Sequence, residues 1–243
     1  MAKLNRRQAL AAAGTAGLGG LLTACGGDGD GAPVARTAEP TRSPSNAATG
    51  RFDESASCSL TAEETEGPYY FDVDAIRSDI REEREGTPPL RLAGAGVADP
   101  EREPLRSAVV DIWHCDARGN YSGFEAATPG GGRTDEETYL RGAQATDAEG
   151  IVEFHTVYPG FYPGRTVHIH AKVHLDRRTV LTTQLYFDDA FTDRIHTREP
   201  YSHAGRRDTS NDTDGIFEES LLLTLSEEDD GVLGLMTFDV RRA

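Results

Sequence analysis

The chain has 243 residues and a formal net charge of −16. A balance this acidic gives no electrostatic footprint for nucleic acid and none for a polybasic membrane contact. Residues 57–243 are enough for one domain with its own core.

The chain opens with Asn5-Arg6-Arg7-Gln8-Ala9-Leu10 and an apolar, Gly/Ala-rich run to Leu22. A basic start before so short a run reads as an export signal over residues 1–24, of the twin-arginine type. Leu22-Thr-Ala-Cys25 follows and resembles a bacterial lipobox, with Cys25 as the lipidated residue. Two or more acyl chains on Cys25 would hold the protein at a surface, so the expected address is an exported, cell-surface lipoprotein or extracellular. Residues 25–56 are Gly, Asp, Pro, Ser, Thr and Ala with almost no large apolar side chain, a flexible tether by composition. Contact with membrane is then expected only through the lipid anchor.

From residue 57 onward, short β-rich runs dominate. Arg91 to Val97, Ala108 to Trp113, Gly150 to Val157, Thr166 to Leu175 and Val180 to Phe187 read as strands. Ser220 to Leu225 and Leu233 to Val240 flank Glu-Glu-Asp-Asp-Gly as a hairpin-like pair. Turn signals at Asp116-Ala-Arg-Gly119 and Asp147-Ala-Glu-Gly150 separate the runs. The pattern predicts an all-β fold, a single β-sandwich with long loops over 57–243. Helix is expected only in short pieces, for instance around Val73 to Arg84. Two irregular stretches, Ser122 to Gly142 and Asp188 to Ile216, are the natural places for substrate contacts. Cys58 and Cys115 sit in a chain read as exported, where a bridge is permitted. Pairing them would close a long loop and contribute about 4 kcal/mol in the loop-entropy account.

Chemistry concentrates in Tyr162-Pro-Gly-Arg165-Thr-Val-His168-Ile-His170, with Gly119-Asn-Tyr121-Ser-Gly123 upstream. Strand side chains alternate faces, so His168 and His170 can point the same way and share one metal ion. Tyr121 and Tyr162 can complete the site as phenolates, hard anionic donors that favour Fe(III). Zinc is the rival metal, though it usually takes a tetrahedral site without paired tyrosinates. A lipid-anchored, non-enzymatic β-sandwich binding module, with these residues structural, is the alternative outside enzymology.

Further motifs occur in order along the chain. They are Thr65-Glu-Gly-Pro-Tyr-Tyr70, Val110-Asp-Ile-Trp-His114, Leu140-Arg-Gly-Ala-Gln-Ala-Thr-Asp147, Pro159-Gly-Phe-Tyr162-Pro and Thr183-Gln184-Leu-Tyr-Phe187. From about Thr65 to Phe187 the sequence resembles the intradiol ring-cleavage dioxygenases, the catechol and protocatechuate 3,4-dioxygenase group. The resemblance implies a β-sandwich bearing mononuclear non-haem Fe(III), with Tyr121, Tyr162, His168 and His170 as ligands. Tyr162 and His170 would be axial, and Tyr121, His168 and solvent equatorial. It implies a catecholic substrate and O2 as partners, with the ring opened between its hydroxyl-bearing carbons to a cis,cis-muconate-type diacid. Tyr162 would leave the metal to take one catechol proton. Arg165 would stabilise negative charge on the ring, and Gln184 would orient Arg165 or the intermediate. The helical N-terminal segment of dimeric relatives has no counterpart in residues 26–56, so the mode of any homo-oligomer stays open. So does the choice among catechol, protocatechuate, hydroxyquinol and larger lignin-like catechols.

Overall fold

The computed structural model describes residues 51–52, 59–99, 102–124 and 132–241. The stretch read as an export signal and lipobox, with Cys25, and also Cys58 lie outside the described residues.

Nine strands form two sheets. They are β1 (Pro89–Asp99), β2 (Glu103–Pro104), β3 (Val109–Trp113), β4 (Arg141–Ala145), β5 (Ile151–Val157), β6 (His168–Leu175), β7 (Arg178–Tyr186), β8 (Thr224–Glu228) and β9 (Gly231–Arg241). β1 runs parallel to β9 on one side and pairs with β5 and β2 on the other, and β8 closes the far edge beside β9. The second sheet is antiparallel, in the order β4-β3-β6-β7. Leu90, Leu92, Val152, Phe154 and Phe238 from the first sheet meet Val110, Ile112, Ile169, Ala171, Val173 and Leu185 from the second in one buried cluster. That is the expected all-β sandwich.

Alternation on β6 is complete. Ile169, Ala171 and Val173 enter the core, while His168, His170, Lys172 and His174 take the outer face. That face is buried too, because an arm covers it. The arm begins beside β7, with Glu64 N donating to Thr182 O at 2.8 Å and Thr183 Oγ1 to Ala62 O at 2.8 Å. It crosses to β4, where Ala143 N donates to Ala75 O at 3.1 Å and Arg77 N to Ala143 O at 2.9 Å. Between these ends Tyr70 packs on Trp113, its hydroxyl donates to Asp111 Oδ2 at 3.2 Å, and Lys172 pairs with Glu66 while lying 3.7 Å above the Tyr70 ring.

Three expectations are corrected. Val73 to Arg84 is not helical: it is irregular, with a turn at Glu82–Glu83 and isolated bridges Ile76–Ala143 and Asp79–His155, so sheet pairing overrides a helix-compatible composition. Among the described residues the α-helix is α1 (Asp189–His196), inside the stretch read as irregular, with Asp188 accepting from Phe191 N at 2.7 Å as its N-cap. Ser220 to Leu225 divides into a 3-10 turn over Glu219–Leu221 and the start of β8, and the hairpin closes at Asp229-Asp230.

Candidate metal centre

Strand register lays a row of residues across the outer face of the four-stranded sheet. Arg141 of β4 stands opposite Trp113 of β3, Trp113 opposite His170 of β6, and His170 opposite Gln184 of β7. His168 lies one step along, opposite Tyr186. The indole of Trp113 stacks on the His170 ring at 4.9 Å and 4°. Gly67 of the arm closes over the same ring: a Cβ there would sit 3.1 Å from His170 Cε1.

The two tyrosines come from turns that lock together. Asp116 Oδ1 accepts from Arg118 N and Asn120 N, both at 2.9 Å, and Gly160 N donates to Asp116 O at 3.1 Å. Gly119 holds φ +85° there, and a Cβ would fall 2.1 Å from Phe161 O. This close approach sets Tyr121 beside Tyr162, ring centroids 5.8 Å apart. Tyr69 stacks on the far face of the pair, 4.4 Å from Tyr121. Tyr121 is also 6.2 Å from His170, and the His168 and His170 rings are 4.8 Å apart and nearly perpendicular. All four expected ligands therefore meet.

Their hydrogen bonding says what they are arranged for. His168 Nδ1 donates to Thr166 O at 2.7 Å, which leaves Nε2 as the lone-pair nitrogen, 3.1 Å from Tyr162 Oη. Tyr121 Oη and both ring nitrogens of His170 are buried without a hydrogen-bond partner. Buried polar atoms in folded proteins are usually hydrogen-bonded, and each exception calls for a cause; Tyr69 Oη, Trp113 Nε1 and Arg141 Nη1 beside the same cluster are further exceptions. His114, equally buried, shows the normal pattern: Nδ1 donates to Cys115 O at 2.8 Å and Nε2 accepts from Thr156 Oγ1 at 2.7 Å. Burial, reinforced by Arg165, pushes His168 down to about 3; burial and then His168 push His170 down as well, so both imidazoles are neutral donors. Burial raises both Tyr121 and Tyr162 above the ordinary phenol value. They stay raised despite Arg141 and Arg165 nearby, so two phenols and two neutral imidazoles fit a highly charged, hard metal ion that would supply the missing positive charge. Among the described residues no three His, Cys, Asp or Glu side chains form such a group, and only the tyrosine oxygens complete this one.

Beside these four candidate donors, Arg165 Nη2 donates to Gln184 Oε1 at 2.6 Å and Nε to Asp214 Oδ2 at 2.9 Å. Asp214 also accepts from Thr166 N at 2.9 Å, while Gln184 Nε2 donates to Thr65 O at 3.0 Å. The expected partnership of Arg165 and Gln184 is present. Asp214 is a site residue that the sequence did not disclose: it sits 49 residues from Arg165 in a polar loop, and no local pattern marks it. The expected staple between Cys58 and Cys115 falls on Cys58, which lies outside the described residues; Cys115 is buried, and its S–H donates to Gly160 O at 3.5 Å.

Comparisons with known proteins agree with this geometry. The family model Dioxygenase_C, described as Dioxygenase, matches residues 65–212, more than half of the chain. Chlorocatechol 1,2-dioxygenase of Rhodococcus opacus is 31% identical over 118 residues, which is 41% of this chain and 43% of that protein. Catechol 1,2-dioxygenase 1 of Acinetobacter lwoffii is 31% identical over 141 residues, 49% of this chain and 43% of that protein. The matches thus span less than half the length of these two relatives. Among solved structures, an intradiol ring-cleavage dioxygenase from Tetranychus urticae superposes with a TM-score of 0.72 at 32% identity, over 76% of this chain and 95% of that one. The dioxygenase domain of a carbohydrate-binding fusion from Streptomyces sp. SirexAA-E gives 0.57 at 30%, over 76% and 100%. With the fold, the ordered motifs and the whole catalytic unit of a solved relative all matched, this chain belongs to the intradiol ring-cleavage dioxygenase family.

Proposed function

We propose that the protein is a mononuclear non-haem Fe(III) dioxygenase that opens catecholic rings between the two hydroxyl-bearing carbons. The observation that carries this is the set of buried, unpartnered donors, Tyr121 Oη and the His170 nitrogens, beside the Tyr162–His168 pair. Bound ferric ion would draw electron density from a chelated catecholate and make its ring reactive toward O2. The chain's own residues do the rest.

A catechol must lose two protons to chelate. Tyr162 is the only partly exposed member of the four donors and the most readily displaced, so it is the base for one of them. Tyr121 and His170, fixed by the Tyr69 and Trp113 stacks, stay in place and keep water from that side. Arg165 presents a cation held by Asp214 and Gln184 where negative charge develops on the ring, so no reorganisation is needed as it forms. The reaction balances without a reductant: catechol plus O2 gives cis,cis-muconic acid, with one ring C–C bond broken and both oxygen atoms retained. Catechol and chlorocatechol are the substrates named for the relatives; protocatechuate, hydroxyquinol and larger catechols are the other substrates to assay.

Turnover of catechol by the iron-loaded protein under 18O2 tests the reading. It expects a muconate diacid carrying two labelled atoms, and a semialdehyde from cleavage beside the diol would contradict it. We further propose an exported, lipid-anchored address. A Cys25→Ser chain that still takes up labelled fatty acid in the producing cell would refute that part.

A further inference from the structure

Arg141 is 1% exposed, at the end of the row that runs through Trp113 and His170 to Gln184. Its Nε donates to Ser122 Oγ at 2.8 Å and its Nη2 to Ser122 O at 2.9 Å, while Nη1 is buried without a partner. Aromatic rings supply much of the remaining wall: the guanidinium carbon is 4.2 Å from the Phe71 centroid, 5.7 Å from Phe124 and 5.8 Å from Tyr121. Among the described residues no carboxylate forms an ion pair with it. Asp111, on the same face, accepts from Tyr70 at 3.2 Å and acts on Arg141 through its charge without forming a close ion pair with it.

A charge taken out of water costs several kcal/mol unless a counter-charge or full hydrogen bonding offsets it. Serine oxygens and ring faces reduce that cost without neutralising the charge. A guanidinium does not lose its proton to escape the problem. What the site would gain when a metal displaces the Tyr121 proton is a phenolate on a ring whose centroid lies 5.8 Å from this cation.

We propose that Arg141 is a positioning residue for Tyr121, fixing its loop through Ser122 and, by its permanent charge, weakening the phenolate's donation to the metal. The inference rests on Tyr121 being a ligand of the ferric site. A fixed cation lowers the energy of the phenolate electrons. More energy is then needed to move one to the metal, and the reduced metal is less disfavoured. The charge therefore keeps the tyrosinate-to-Fe(III) band at shorter wavelength and the ferric/ferrous midpoint potential higher than it would be without it.

The test compares iron-loaded wild type, Arg141→Met and Arg141→Lys by visible absorption and redox titration. Arg141→Met is expected to move the band to longer wavelength and lower the potential, with Arg141→Lys returning both toward wild type. A folded, iron-loaded Arg141→Met protein with wild-type band and potential overturns the proposal, as does a lysine variant displaced as far as the methionine one. Should Arg141→Met fail to fold, Arg141→Gln decides instead. It removes the charge and keeps a donor that can reach Ser122, so a displaced band is expected and an unmoved band overturns the assignment. A wild-type protein that binds iron without any such band overturns the ferric tyrosinate site itself, an outcome distinct from a normal band unmoved by substitution.

Discussion

The two sheets press apolar inner faces together, but their outer faces are used in opposite ways. On the five-stranded sheet, Arg91 lies 2.5 Å from Glu228 and 3.6 Å from Glu153, and Arg51 lies 2.7 Å from Glu228. These are partly solvated pairs of the kind worth about 0–1 kcal/mol each. On the four-stranded sheet, Asp111, Arg141, His168, His170, Lys172 and Gln184 are buried beneath the arm and the Tyr121 and Tyr162 turns. Polar groups cost free energy there unless they are partnered, and several are not. The contrast separates a face of partly solvated ion pairs around a small apolar cluster of Ala93, Leu233, Phe52 and Leu235 from one that buries a set of polar donors. It also shows why the arm matters: without it the histidines of β6 would be ordinary surface residues.

The largest effect expected from breaking this contrast is at the ligands. His168→Ala should bring iron content and turnover to background, measured by metal analysis after dialysis; full iron content would remove His168 from the ligand set. Tyr162→Phe should keep its iron yet lose turnover by about 10²- to 10⁴-fold, the usual contribution of a positioned base. Wild-type kcat in that variant would end its role as proton acceptor. Asp214→Asn, which removes the carboxylate charge that holds Arg165, should cost about 10- to 100-fold in kcat/KM with iron retained. An unchanged kcat/KM would show that Gln184 alone positions the guanidinium. Smallest of all, Arg91→Ala on the opposite face should change stability by no more than about 1 kcal/mol and leave iron binding and turnover untouched. A loss of iron there would dissolve the distinction between the faces.

Much of this was legible in the chain. The alternation His168-Ile-His170-Ala-Lys172-Val-His174 states both the strand and its two faces, and the four proposed ligands stand in motifs that follow one another in the expected order. What stayed hidden was set by long-range pairing. β4 has no β-branched residue between Arg141 and Ala145, so its place beside β3 is visible only in the fold. Residues 73–84 carry charges compatible with a helix, yet Arg77 donates to Arg141 O and Thr138 O and holds the segment along the sheet edge. α1 has a cap at Asp188 and an apolar pair at Phe191 and Ile195, but eight residues in a polar stretch give too little pattern to stand out. Asp214 meets Arg165 only because that same stretch folds back over β6 and β7.

The central claim is that Tyr121, Tyr162, His168 and His170 together bind a ferric ion that takes catechol. It is tested most directly by the visible spectrum of the iron-loaded domain from Ser57 onward, before and after anaerobic addition of catechol. The account predicts a broad tyrosinate-to-Fe(III) band that shifts to longer wavelength when catechol binds. A colourless protein with full iron occupancy would contradict it.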